Sequence, residues 1–355
     1  MTAPPHLVRC PYCLDPIAYD SKALLLPNKL GGLDPVDPER EPNPIRREDL
    51  LRNAFQRCPN RSDLPPHNVP VPYLRFGQPL TVAMVGASQS GKTHLLYAML
   101  ADLQRDVLTP FGLSVRAVNS RERERVVLRQ MQKLDAGKML SSTPNAGDLV
   151  TFLDALLIEG GGRTTPVGFF DVSGEDLTST DRALRFLAGV DALIFVVDAV
   201  TALQLPELAR VPAGQGGSLG DRTFAAVLDR LPRSGALIET PAAMVVAKSD
   251  LLRFRSPVDR WLGEELRPPL DPALMEAESR DAFALLHEYG GAPWLKPFLQ
   301  CRRCTLHFAS ATGGDAQGRD RYPRGAHSRR AVQPLLSILA MRGLLGPYLA
   351  EAVGR

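Results

Sequence analysis

The apolar positions of this chain fall in short continuous runs separated by polar, glycine-bearing or helically spaced segments. The first clear run is Leu80-Thr-Val-Ala-Met-Val85. A run of that length without alternation is expected of a strand buried on both faces of a sheet. A glycine-rich turn follows, and then Leu95, Leu96, Met99, Leu100 and Leu103 recur at helical spacing. Leu113 to Val118 predicts a second strand and Ser120 to Leu134 a charged helix. A loop through Thr143 leads to two more strands, Leu149 to Ile158 and Pro166 to Asp171, joined by Glu-Gly-Gly-Gly-Arg. Further runs at Asp191 to Val197, Ala242 to Val246 and Thr305 to Phe308 predict strands, with helices or loops between them. Alternation of this kind predicts an α/β sandwich with a mostly parallel sheet. Ala213 to Gly220 reads as a surface loop, and Val332 to Met341 as a buried C-terminal helix.

Residues 1–76 read differently. They are dense in proline and poor in periodic apolar pattern, with one short helix predicted at Arg46 to Gln56. The expected organisation is therefore a proline-rich N-terminal segment, 1–76, followed by a larger α/β domain, 77–355.

Composition narrows the class. In 355 residues, 44% hydrophobic and 23% charged content are those of an ordinary globular protein, with core enough to need no disulfide staples. The net charge of +3 is too weak and too dispersed to indicate nucleic acid. The densest charge run, Arg121-Glu-Arg-Glu-Arg125, alternates in sign and reads as a solvated helix face. No uncharged apolar stretch reaches the ~18 residues of a membrane span, and the N-terminus lacks the basic start and apolar run of a signal peptide. Five cysteines, four of them in C-x-x-C pairs, then favour reduced thiols in a cytoplasmic protein.

The strongest motif is Gly86-Ala87-Ser88-Gln89-Ser90-Gly91-Lys92-Thr93, a full match to G-x-x-x-x-G-K-[ST] between a predicted buried strand and an amphipathic helix that continues with His94. Small residues let backbone N–H groups wrap a phosphate, and the helix N-terminus adds a favourable dipole. Lys92 is expected to reach the β- and γ-phosphates, and the Thr93 hydroxyl to ligate magnesium.

Three later motifs, each at a strand end, narrow the nucleotide. Asp171-Val-Ser-Gly174 can hold magnesium through water on the Asp171 carboxylate and meet the γ-phosphate through the Gly174 N–H. Lys248-Ser-Asp250 offers a lysine stem to lie along a purine ring. Its second charged residue, Asp250, can accept from the ring N–H and exocyclic amine of guanine, a donor pair that adenine lacks. A site that leaves such a buried carboxylate unpaired against the wrong base can discriminate by roughly 10⁴ or more. Ser310-Ala311-Thr312 completes the set, with the Ala311 N–H placed to donate to the guanine carbonyl.

Taken in this order, GKT, DxxG, KxD and SA resemble the TRAFAC-class GTPases, the Ras-like and translation-factor-like group. More narrowly, the Cys-Pro-Tyr-Cys N-terminus and the additional strand and charged helix before Thr143 look like the bacterial double-GTPase (DO-GTPase) type found beside conflict and regulatory genes. The resemblance implies a P-loop NTPase three-layer sandwich with a small N-terminal zinc-ribbon-like segment. It also implies GTP/GDP and Mg²⁺ as ligands, hydrolysis of the γ-phosphate, and a protein partner or effector. Lys92, Thr93, Asp171, Gly174, Lys248, Asp250 and Ala311 match the family positions. Thr143 is the expected first-switch threonine, ahead of Thr164 and Thr165.

Two positions depart from the pattern. Ala247 stands where asparagine or threonine is usual, which removes a tether between the base loop and the P-loop. Glu175 stands where Ras-like enzymes place a water-orienting glutamine, so intrinsic turnover is expected to be slow. An arginine from a partner or from the chain itself is expected to assist; Arg163 is near in sequence but reads better as a surface residue. A scaffold that binds GTP without hydrolysing it, and a P-loop ATPase or kinase, are the alternatives.

Cys10-Pro-Tyr-Cys13 reads as a metal knuckle, with Cys58 and His67 as third and fourth ligands of a tetrahedral zinc site. Thiols that merely fill a small apolar site are the competing reading. Cys301 and Cys304 read as packing residues, with a joint Cys₄ site with Cys10 and Cys13 as the alternative.

Overall fold

The computed structural model describes residues 7–60, 66–118, 127–140, 150–172 (backbone alone at 150 and 151), 186–209, 221–314 and 321–354. The N-terminal part opens with a hairpin of β1 (Leu7–Arg9) and β2 (Pro16–Ala18). A four-stranded antiparallel sheet follows. It is built from β3 (Leu24–Pro27), β4 (Leu33–Val36), β5 (Phe55–Arg57) and β6 (Asn68–Pro70), in the order β4-β3-β5-β6. Between β4 and β5 lies α1 (Pro44–Asn53), where Pro44 occupies the first helical position and the Asn43 side chain accepts from the Ile45 and Arg46 N–H groups. A short helix, α2 (Val71–Arg75), closes the unit.

The strands in this region are more numerous than the sequence pattern suggested, and their length is the reason. Three or four residues are too few to display a period of two. The prolines that argued against strands sit where a strand tolerates them: Pro16 begins β2, Pro27 and Pro70 end β3 and β6, and Pro35 lies in the edge strand β4.

The larger part is an α/β sandwich. Its elements are β7 (Leu80–Val85), α3 (Lys92–Gln104), β8 (Ser114–Ala117), α4 (Arg129–Asp135), β9 (Val150–Gly160), β10 (Arg163–Val172), β11 (Ala192–Asp198), α5 (Ala199–Ala202) and α6 (Arg222–Leu228). A two-residue hairpin, β12 (Arg233–Ser234) and β13 (Leu237–Ile238), precedes β14 (Ala242–Ala247). Then come α7 (Val258–Gly263), α8 (Pro272–Glu288), α9 (Lys296–Gln300), β15 (Cys304–Phe308), α10 (Gln333–Met341) and α11 (Pro347–Ala352). The predicted charged helix is described only as α4, since residues 119–126, including the whole of its charge run 121–125, lie outside the described residues; so does the predicted surface loop at 213–220.

Seven of the described strands form one sheet in the order β15-β14-β11-β7-β10-β9-β8. The five from β15 to β10 are parallel to one another; β9 returns antiparallel through the glycine hairpin, and β8 pairs antiparallel with β9. Strand side chains alternate between two cores. Ala83, Val85, Phe195, Met244 and Phe308 face α6, α7 and α8 through Phe224, Trp261 and Leu285. Val82, Met84, Ile194 and Val245 face α3 and α10 through Leu96, Met99, Leu336 and Leu339. Both faces of the central strands are thus dry, which accounts for their unbroken apolar runs. The fully buried α10 is the expected C-terminal core helix.

The N-terminal unit shares a third core with the β8–β9 end of the sheet. Val8, Cys10, Cys13, Tyr73 and Leu74 pack with Val118, Ala155 and Leu157. Tyr12 meets Phe152 edge-on at 5.3 Å, Phe152 meets Phe170 at 5.5 Å, and Phe170 meets Phe186 at 4.8 Å.

Candidate functional site

Strand β7 runs directly into the loop Gly86–Gly91, and α3 begins at Lys92. Two glycines in the loop are required by geometry. A Cβ on Gly86 would lie 2.8 Å from the Val196 carbonyl oxygen, and Gly91 has φ +94°. The Lys92 ammonium donates to the carbonyls of Gly86 and Ala87, the latter at 3.1 Å. Ser88 and Gln89 are exposed, whereas the Ser90 hydroxyl is buried and has no hydrogen-bond partner among the described residues. Thr93 follows as the second residue of α3.

Asp171 arrives from the neighbouring strand. It is the register partner of Met84 in β7, so it stands beside the start of the loop. Its Oδ1 is buried without a partner among the described residues. Burial pushes this carboxyl above the ordinary carboxylate range, and the Lys92 charge opposes that rise.

The Lys248-Ser-Asp250 and Ser310-Ala311-Thr312 motifs lie at the same edge. Lys248, just past β14, has a left-handed backbone at φ 57°. Its Nζ donates to the Gln89 carbonyl at 3.1 Å and to Asp198 Oδ2 at 2.8 Å. Asp250 is buried and accepts from the Ser310 hydroxyl at 2.6 Å. The same hydroxyl oxygen accepts from the N–H groups of Gly313 at 2.8 Å and Thr312 at 3.3 Å, which folds the 310–313 turn around it. The structure therefore brings residues 86–94, Asp171, Lys248, Asp250 and Ser310 to Thr312 to one end of the parallel sheet. Arg163 is exposed and opens β10, whereas Asp171 is its penultimate residue, so the two stand at opposite ends of that strand. Thr164 and Thr165 share the Arg163 end. Thr143, Gly174 and Glu175 lie outside the described residues.

Several contributing residues carried no motif. Asp198, the last residue of β11, holds Lys248. Asp221 caps α6 through the Thr223 N–H at 2.7 Å and takes the Ala87 N–H with its other oxygen, also at 2.7 Å. The only sequence signal for either is an aspartate at an element boundary, a pattern shared with many plain helix caps. Below the 310–313 turn, Glu278 accepts from Arg330 at 2.6 Å and from the Phe308 N–H at 3.0 Å, and lies 2.9 Å from His307 Nδ1. Burial works against the Glu278 carboxylate, but His307 and Arg330 outweigh it and hold its pKa below the ordinary value. The backbone of Arg329 pairs in both directions with Ser310, which connects this buried network to the 310–313 turn.

His94, the third residue of α3, reaches in another direction. Its Nε2 accepts the Leu140 N–H at 3.2 Å. Burial, reinforced by the Lys248 charge, lowers its pKa from 6.5 to about 4. The neutral imidazole thus belongs to the fold.

The four predicted metal ligands converge. Ligand atoms of Cys10, Cys13, Cys58 and His67 all lie within 4.8 Å of one another. Cys10 Sγ is 3.3 Å from His67 Nε2, and Cys13 Sγ is 3.7 Å from Cys58 Sγ. The knuckle turn is closed by Leu14 N–H on the Cys10 carbonyl, and Cys58 N–H donates to the His67 carbonyl, so backbone bonds set both halves. Burial and the neighbouring thiols push Cys10 and Cys58 upward in pKa. A divalent cation bound by the set would reverse that cost, because metal-bound thiols are deprotonated. Three sulfurs and an imidazole at this spacing can hold a metal ion. Cys301 and Cys304 do not join them: both are packed in the core on one side of the sheet, where burial pushes the Cys301 thiol up to about 12 and raises the Cys304 thiol well above its ordinary value.

A seven-stranded, mostly parallel sheet with a glycine loop at its central strand tip defines the class, and comparison with known families gives the membership. The model of the Double-GTPase 2 family matches residues 80–288, more than half of the chain. The protein belongs to that family. No curated protein matches the chain. Among the described residues, no helix is long and apolar enough to cross a membrane.

Two outcomes are expected. Metal analysis of the purified protein should give one equivalent of a thiophilic divalent ion, unchanged in Cys301→Ser and reduced to well below half in Cys58→Ser. Stability should also fall with acid through His94. The unfolded imidazole takes its proton near pH 6.5 and the folded one only near pH 4. The contribution is complete above pH 6.5 and declines as pH falls towards 4, by at most about 3 kcal/mol. Urea unfolding of His94→Asn should show a shallower decline than the wild type across that window.

Proposed function

We propose that this protein is a magnesium-dependent GTP-binding switch that hydrolyses GTP to GDP, in a chain divided near residue 76 into a metal-stabilised N-terminal unit and a GTPase domain. The observation that carries the reading is the 3.1 Å hydrogen bond from Lys248 to the Gln89 carbonyl, which holds the Lys248 turn against the 86–93 loop and so supports a single purine nucleotide spanning both. Family membership supports the guanine nucleotide.

In this reading the backbone of residues 86–94 cradles the phosphates, and Lys92 moves its ammonium from the loop carbonyls to the β- and γ-phosphate oxygens. The residues fit a bound Mg²⁺: Thr93 supplies a hydroxyl, and Asp171 supplies a buried oxygen that lacks a partner among the described residues. Magnesium there would neutralise charge on the phosphate oxygens and keep Asp171 ionised. The Lys248 stem lies along the purine. Asp250, oriented by Ser310, accepts from the guanine N–H and amine, and the Ala311 N–H donates to its carbonyl. Thr143, Gly174 and Glu175 take the roles of first-switch threonine, γ-phosphate amide and water-facing carboxylate. Zinc is the metal proposed for Cys10, Cys13, Cys58 and His67, since three thiolates and one imidazole suit its tetrahedral preference. The setting proposed is the cytoplasm of a bacterium, in a regulatory or conflict system with a protein partner.

Glu175 favours a second reading, in which GTP is held but hardly hydrolysed, because a carboxylate near the γ-phosphate repels as well as activates. Phosphate release under single-turnover conditions separates the two. Wild-type protein with Mg²⁺ should release phosphate from GTP, and Lys92→Ala should reduce the rate at least ~100-fold. Asp250→Asn should lower the preference for GTP over ATP. Undiminished turnover in Lys92→Ala would overturn the enzymatic reading, and no turnover in the wild type despite GTP binding would favour the scaffold.

A further inference from the structure

The base-reading lysine needs an anchor, and Ala247 cannot provide one. Ala247 ends β14 in a methyl group; a Cβ placed on Gly91 would lie 4.0 Å from it, so strand tip and phosphate loop adjoin there with no polar link from this side chain. The register partner of Ala247 in the neighbouring strand is Asp198. Its side chain is only 3% exposed and is fixed from two sides: one oxygen accepts the Val200 N–H at 3.0 Å, the other the Thr201 hydroxyl at 3.2 Å. That second oxygen also takes Lys248 Nζ at 2.8 Å, and Nζ continues to the Gln89 carbonyl. The ammonium is thereby pinned between three elements: the tip of β11, the phosphate loop and its own turn after β14. The turn has positive φ at a residue with a long side chain, a conformation that persists only with outside support.

We infer that Asp198 is a positioning residue for nucleotide binding, acting through Lys248. It holds the lysine stem stretched between β14 and the phosphate loop before any base arrives, and so performs the tethering that Ala247 cannot. An unheld lysine would lose rotamer freedom each time a purine packed on it, and fixing the side chain in advance removes that cost from binding. The inference rests on the guanine-nucleotide reading above and adds a residue to it.

Asp198 also caps the short helix α5, and the two roles must be separated. Asparagine caps helices about as well as aspartate, so Asp198→Asn retains the cap and removes the charge. Lys248→Met retains the stem and removes the pinned end. The experiment is an equilibrium titration of the full chain with a fluorescent GDP analogue and Mg²⁺. It compares wild type, Asp198→Asn, Lys248→Met and the double variant, with thermal unfolding of each nucleotide-free protein alongside.

Asp198→Asn is expected to bind at least ~10-fold more weakly, as loss of a charge-assisted contact implies, with an unfolding midpoint within about 2 °C of wild type. Lys248→Met should bind as weakly, and the double variant no more weakly than either single one, since both remove the same link. Losses that multiply in the double variant, wild-type affinity in Asp198→Asn, or wild-type affinity in Lys248→Met would each overturn the inference. Should Asp198→Asn unfold early, Asp198→Ser, which likewise keeps a helix-capping side chain and removes the charge, takes its place in the comparison. A wild type that binds no GDP defeats the nucleotide reading and this inference together. A wild type that binds GDP beside an unaffected Asp198→Asn defeats the inference only.

Discussion

The parallel direction of β10, β7, β11 and β14 is the constraint on which the rest depends. Strands that run the same way end on the same edge, and ligands of open α/β sheets bind beyond that edge. Register then decides what stands beside what. Asp171 falls beside Met84 at the start of the glycine loop, and Asp198 falls beside Ala247 at the start of the lysine turn. No single motif needs to be exact for this to hold. The dry faces of the sheet fix the strands, and the strands deliver their terminal residues within hydrogen-bond reach.

Much of this was legible in the sequence, for a physical reason. Strands buried on both faces must be apolar throughout, so the runs at 80–85, 192–197 and 242–247 announce themselves, and a glycine loop between such a strand and a helix has few other uses. What lay hidden falls into two kinds. The strands of the N-terminal unit are too short for periodicity and carry prolines at their ends, so a small antiparallel sheet resembles irregular chain. Asp198 and Asp221 were hidden because an aspartate that caps a helix and one that grips a loop or a lysine look the same in one dimension; here each does both. Ala247 read as a missing tether, whereas the adjoining strand supplies a link to the same lysine. For Thr143, Gly174 and Glu175 the sequence remains the whole basis of their assignment.

The N-terminal unit bears on the same edge indirectly. With strands of three or four residues it has little interior of its own, and it uses two devices to hold a shape. One is the convergence of Cys10, Cys13, Cys58 and His67; the other is a core shared with β8 and β9. Tyr12, inside the cysteine knuckle, touches Phe152, and Phe152 touches Phe170, the residue before Asp171. The Cys/His cluster and the sheet are thus packed together through aromatic contacts, without a polar link being required.

The central claim is that the edge built by these strands selects guanine. Calorimetric titration of the wild-type protein with GDP and, separately, with ADP, both with Mg²⁺, tests it directly. One GDP should bind per chain and ADP at least ~100-fold more weakly, since adenine does not offer Asp250 the ring N–H and exocyclic amine donor pair of guanine. Equal affinity for the two nucleotides, or tighter binding of ADP, would contradict it.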